Sequence, residues 1–327
     1  MLEIILSALL PMVVTFLLGF VAARRHDFGS KDAPTLNRMV LQYAVPLALF
    51  AGTVTTSRAA LSKDIPLVIA LCAGIIGFYG VVFLFSRIVL RMQVSMSALA
   101  ALTASAPAVP FVGPAVLGDL FGGLSAIPIA LGSLVINLTV VPITILLLAL
   151  NSTGRERTEN TLAAQGGEQS ESSPRSYVSV FAAKLVETVK EPIVWAPVIA
   201  FVIVLIGLHI SQVIVHSLSL LGQASGGVAL FACGIVLASG KIKVTWQILF
   251  FVFLKNVIQP ALVLGGLRWL GSPVVSEAVL TTAIPTMPIV IMFALQYRIA
   301  QAEAASAVFF SVMGSVVTMG VFIALTR

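Results

Sequence analysis

Stretches of roughly twenty mostly apolar residues follow one another along this chain, near 2–23, 38–56, 65–90, 96–118, 124–150, 192–208, 217–239, 244–270, 275–297 and 304–325. Runs of that length match the hydrocarbon core of a bilayer when coiled as helices. Hydrocarbon offers backbone N–H and C=O groups no water, so the segments that cross it must satisfy them internally. The pattern therefore predicts an all-α integral membrane protein of about ten transmembrane helices. Composition agrees: 59% of the residues are hydrophobic and 10% charged, too little polar surface to cover a water-soluble globule. The first run lacks a basic leader and is followed by Arg24, Arg25 and His26, the reverse of a cleaved signal peptide. It reads as a retained helix.

A net charge of +6 does not point to nucleic acid, because the basic residues sit in short gaps between apolar runs rather than on one patch. With the N-terminus placed outside, fourteen of the nineteen Lys and Arg residues fall on the cytoplasmic side. The positive-inside rule then places both termini outside and the long polar linker in the cytoplasm. That makes the chain a multi-pass protein of a cell (inner) membrane. The linker, 151–190, is rich in Ser, Gly and mixed charge. From Tyr177 its pattern turns amphipathic and helical, an expected surface lead-in to the sixth span. It divides the chain into 1–150 and 191–327, with five spans on each side.

Because five is odd, a second copy of the first half would cross the membrane upside down, and two echoes support such an inverted repeat. Ala48-Leu49-Phe50-Ala51 in the second span corresponds to Ala229-Leu230-Phe231-Ala232 in the seventh. Pro107-Ala108-Val109-Pro110 in the fourth corresponds to Pro285-Thr286-Met287-Pro288 in the ninth. Two prolines so close remove backbone donors and clash with the preceding turn, so each helix is expected to break there. An unwound backbone within a membrane must be buried in protein or line a cavity. Paired breaks in inverted halves point to a transporter's binding site, where half-helix N-termini would present free N–H groups to an anion; ordinary proline kinks, which membrane helices tolerate, are the plainer alternative.

The same chain resembles the auxin efflux carrier family, which contains plant PIN proteins and bacterial malonate and malate permeases. The likeness lies in Leu36-Asn37-Arg38-Met39-Val40 running into Tyr43-Ala44-Val45-Pro46-Leu47, in Lys190-Glu191-Pro192-Ile193-Val194-Trp195-Ala196-Pro197, and in Phe293-Ala294-Leu295-Gln296-Tyr297 followed by Ala304-Ala305-Ser306-Ala307-Val308. The resemblance implies crossed, broken fourth and ninth helices and an elevator-like motion. Spans 1, 2, 6 and 7 would form a scaffold that often dimerises, and spans 3–5 and 8–10 a moving transport domain. It also suggests malonate, malate, oxalate or a similar acid as substrate. Many relatives carry Asn or Gln beside the crossover prolines, whereas Ala108, Val109, Thr286 and Met287 fill the gaps here.

Polar residues inside apolar runs supply the remaining site candidates. Lys255 sits about 15 Å into its span, near the midplane, where a charge costs on the order of 2.5–3.5 kcal/mol. It would either attract an anionic substrate, take the place of a coupling cation, or be satisfied by unwound carbonyls. Gln259, four residues on, shares its face, and Asn256 lies about 100° around. Asn137, shortly before Pro142, is either a ligand contact or a structural bridge. Ser105, Thr103 and Thr286 flank the breaks and would cap freed backbone groups. Asp119 ends its span at the surface. The substrate-binding candidates are thus Lys255, Asn137, Pro107, Pro110, Pro285, Pro288, Thr286, Ser105 and Gln259.

Neither a metal-ligand cluster nor a nucleotide motif occurs, so no cofactor is expected. The spans carry no nucleophile with a base and no carboxylate pair, which argues against an intramembrane enzyme. The expected activity is secondary transport of a small organic anion by alternating access, coupled to a proton or sodium ion if coupled at all. An anion channel and an auxin-like aromatic-acid exporter stay open as alternatives.

Overall fold

The computed structural model describes residues 2–29, 31–56, 64–149, 190–208, 210–239 and 243–326. Most of the 151–190 linker, including the amphipathic segment from Tyr177, lies outside these described residues. Those that are described form helices, and no strand ladder occurs among them. Helix α1 is Leu2–Arg24. Helix α2 runs from Ala33–Met39 through a π turn, Val40–Ala44, into Val45–Val54. Helix α3 is Ile65–Ile88, α4 Val94–Ser105 and α5 Val109–Phe121. At Gly122 the backbone takes φ 55°, a left-handed turn open to glycine. The chain then reverses into α6, which begins as Ala126–Val135 and passes through the π turn Ile136–Val140 to residue 149. Beyond the linker come α7 (Pro192–Ile206), α8 (Gln212–Ser239), α9 (Trp246–Trp269), α10 (Val275–Ala283), α11 (Ile289–Gln296) and α12 (Gln301–Thr326).

Six of the described helical stretches are long and apolar enough to cross a membrane by themselves, and α4 and α7 are shorter apolar helices. The chain is an all-α membrane protein. Its surface fits that reading. Along α1 the inward row Ile5, Leu9, Met12 and Phe16 is buried, while Leu6, Leu10, Leu17 and Leu18 are exposed. Both faces are apolar, as a helix with protein on one side and lipid on the other requires.

Two groups of helices pack together. In the first, α1 lies along α8, and α2 packs on both α7 and α8. In the second, α3 packs on α4, α5 on α6, α9 on α10, and α12 on α9, α10 and α11. Contact between α1 and α8 is backbone to backbone. A Cβ built on Gly19 would fall 2.0 Å from the Phe231 carbonyl oxygen, and one on Gly234 2.2 Å from that of Phe16. Lipid supplies no hydrophobic drive between helices, so such close approach is what holds them. Gly19→Val and Gly234→Val are each expected to lose most of the monodisperse peak on size-exclusion chromatography in detergent; retention of the wild-type profile would show that the pair is not needed.

Three of the four π turns within α2, α3, α6 and α9 have a common local cause. Val40–Ala44 precedes Pro46 by two residues, Ile136–Val140 precedes Pro142, and Leu254–Ile258 precedes Pro260. A proline ring cannot bond the carbonyl four residues back and collides with it, and widening the preceding turn relieves the collision. The π turn Cys72–Gly77 in α3 has no such proline.

Candidate functional site

Both Pro-x-x-Pro segments interrupt their helices. Helix α4 ends at Ser105 and α5 starts at Val109; α10 ends at Ala283 and α11 starts at Ile289. The extended stretches between them lie side by side as one antiparallel bridge, Pro107 against Thr286. Ala108 N donates to Pro285 O at 2.8 Å and Met287 N to Ala106 O at 2.9 Å. Each break thus supplies the partner that the other has lost, which is how unwound backbone survives in an apolar interior. The N–H of Thr286 donates to Ser311 Oγ (3.0 Å), and its hydroxyl donates to Thr103 O (2.8 Å). Ser311 in turn donates to Asn256 Oδ1, and Asn256 Nδ2 returns a bond to Ser311 O, both at 2.8 Å.

The pairing gives the centre two unlike flanks. On one, the C-terminal ends of α4 and α10 converge with their orphan carbonyls and partial negative charge. Lys255 and Gln259 occupy this flank. Lys255 Nζ donates to Thr282 O and to Gln259 Oε1, each at 2.7 Å. Gln259 Nε2 donates to Ser105 O and Gly74 O, each at 2.9 Å. Two side chains therefore tie the ends of both broken helices to the π turn of α3. Both are fully buried.

On the other flank the N-termini of α5 and α11 face a small chamber of about 50 Å³. Pro110, Pro288 and Met287 line it from the breaks, Asn137 and Ser133 from α6, and Ser225 from α8. Asn137 is 2% exposed, and its Oδ1 has no hydrogen-bond partner. In a native interior such an orphan calls for an explanation, since leaving it unmade costs about 1–3 kcal/mol. A bound solute is one that fits this position. Beyond the chamber lies a vestibule of about 740 Å³ between the two helix groups. Pro11, Thr55, Ala126 and Gln212 line it, which places its mouth on the side where α1 and α8 begin and α2 ends.

On the opposite side the helix groups touch. Phe16 of α1 stacks on Phe309 of α12 with ring centroids 5.0 Å apart. Asn37 Nδ2 of α2 donates to Gln296 Oε1 of α11 at 3.4 Å. Cys233 of α8 donates to Ala305 O of α12 at 3.6 Å.

Of the residues singled out by sequence, Asn137, Pro110 and Pro288 line the chamber. Pro107, Pro285 and Thr286 form the bridge behind it. Lys255, Gln259 and Ser105 lie on the opposite flank, bonded to protein. Sequence reasoning missed Ser133, Ser225 and Met287. Ser133 was legible as the residue one turn before Asn137 on the same helix face; Ser225 comes from α8, far along the chain, and Met287 from the second break.

Residues 4–323 match a family model described as "Membrane transport protein". The chain is 30% identical over 330 residues to a protein named "Uncharacterized transporter YfdV" in Escherichia coli strain K12, covering all of this chain and 99% of that protein. The proteins of that name in Escherichia coli O157:H7 and Shigella flexneri match to the same extent.

Proposed function

Because the chain belongs to the membrane transport protein family, the auxin efflux carrier group that its sequence resembles, we propose that it is a secondary carrier moving a small carboxylate by alternating access, with its site at the chamber beside the paired helix breaks. The observation that carries this reading is a vestibule lined where α1 and α8 begin and α2 ends, leading toward two helix N-termini and a buried amide with an unmet bond. A carboxylate there would accept from first-turn N–H groups and from the Asn137 amide, whose two ends exchange by rotation about its terminal bond. The two helix groups supply the fixed and moving parts. The group of α1, α2, α7 and α8 corresponds to the scaffold, with the lipid-facing apolar row of α7 available to a second copy. The remaining helices correspond to a transport domain in which 1–150 and 191–327 contribute inverted halves.

Lys255 has a different part in this reading. It holds no position facing the chamber. Its Nζ stands among helix-end carbonyls, where a coupling cation would otherwise be held, and so fills that place as a permanent part of the fold. Replacing sodium by potassium is therefore expected to leave transport unchanged in proteoliposomes; sodium-dependent uptake would remove this role.

Counterflow tests the reading as a whole. Proteoliposomes loaded with one radiolabelled dicarboxylate are challenged with a panel of mono- and dicarboxylates. Saturable exchange with a subset is expected. Conductance without exchange would identify a channel, and no exchange from folded protein would remove the carboxylate site. The basic residues favour a vestibule facing outward.

A further inference from the structure

We propose that Phe111 is the gate of the binding chamber, closing it from the vestibule by resting its ring in a notch left by Gly226. Six residues line both spaces: Ala48, Gly52, Pro110, Phe111, Ser133 and Gly226. Only Phe111 has a side chain large enough to block the way. Its ring fills the place of the missing side chain opposite: a Cβ built on Gly226 would fall 2.4 Å from Phe111 Cδ1 and 2.6 Å from Cε1. The contact joins α5 to α8, and therefore the two helix groups that must move against each other in a carrier.

Size makes the gate necessary. A chamber of about 50 Å³ holds a few waters and no dicarboxylate, so the ligand enters only when something withdraws. Phe111 can withdraw without backbone motion, because the vestibule beside it leaves space for its ring to swing into. Ring rotation would join the chamber to the vestibule and bring the ligand to Asn137 and the two N-termini. The gate would also set selectivity, since the room gained is that of one aromatic ring. This inference rests on the chamber's being the carrier site.

Thiol labelling tests it without relying on transport. Ser133 and Asn137 stand one turn apart on α6; Ser133 lines both spaces and Asn137 the chamber alone. Ser133→Cys and Asn137→Cys are made separately in a background lacking Cys72 and Cys233, and the purified protein is treated with a negatively charged methanethiosulfonate. With Phe111 in place, the thiol at position 137 is expected to react at least about tenfold more slowly than that at 133, in proportion to the fraction of time the gate is open. Phe111→Ala is expected to bring the two rates together while leaving that at 133 unchanged, which also shows that the vestibule has kept its fold. Equal rates with Phe111 intact would overturn the proposal. So would a slow reaction at 137 that persists in Phe111→Ala. If labelling follows the expected pattern but counterflow fails, the gate stands and the carrier reading falls.

Discussion

Asn137→Asp is expected to abolish anion transport while leaving the protein folded. The two side chains have nearly the same shape: the amide NH2 becomes a second oxygen, and Oδ1, which bonds no group of the protein, stays an oxygen. The fold therefore loses little. The site loses much, because a carboxylate would face the incoming anion across a buried chamber of only about 50 Å³. Like charges brought together at a desolvated contact cost several kcal/mol, and each 1.4 kcal/mol is about a factor of ten in affinity. A loss of at least about a hundredfold in kcat/KM is expected, with an unchanged size-exclusion profile. Asn137→Ala removes the amide without adding charge, and the loss of one buried bond predicts a milder change, about ten- to a hundredfold. The order Asp worse than Ala identifies an anion site. If Asn137→Asp transports at the wild-type rate, the chamber is not where the anion binds.

For Lys255→Met the expectation is the opposite split. Methionine fills much of the lysine's volume and leaves Thr282 O and Gln259 Oε1 without their donor in a fully buried setting. Two unmet acceptors cost about 2–6 kcal/mol together. They lie at the ends of the helices whose breaks form the chamber, so the thermal midpoint in detergent should fall by several degrees and transport should be lost with it. Substrate affinity of the protein that remains folded should change less than in Asn137→Asp, since Lys255 faces away from the chamber. A Lys255→Met protein with the wild-type midpoint and transport rate would show that this lysine holds nothing together. One with normal stability but no affinity would return Lys255 to the anion site. Lys255→Arg should not rescue either property: the longer planar head has no room at a fully enclosed position.

Much of the fold was legible because hydrocarbon imposes its constraint locally. Each run of apolar residues declares its own helix, whatever it packs against, and the prolines at 107, 110, 285 and 288 declare breaks because proline alters its own backbone and the preceding turn. Pro142 and Pro260 stand two residues after the π turns on which Asn137, Lys255 and Asn256 lie, but a proline in a membrane helix also fits a plain kink, so the π geometry was not legible. Ser105 and Thr286 could be placed near the breaks on the same local grounds, and both were expected to cap freed backbone. Thr286 does so through its hydroxyl to Thr103 O, whereas the Ser105 hydroxyl bonds within its own helix to Ala101 O at 2.7 Å.

The side on which each polar residue faces was not local. Lys255 and Asn137 look alike in sequence, each a polar residue near the middle of an apolar run, and both were candidates for the anion. The pairing of Pro107 with Thr286 separates them. By laying the two breaks antiparallel, it gathers helix C-termini on one flank, where Lys255 is bonded, and N-termini on the other, beside Asn137. That pairing joins residues far apart in the chain. The sequence by itself determined that the chain spans a membrane and where its helices would fail. The tertiary structure alone decided that the failures meet, because a hydrogen bond between two distant extended segments depends on how the helices pack and leaves no periodicity in either segment.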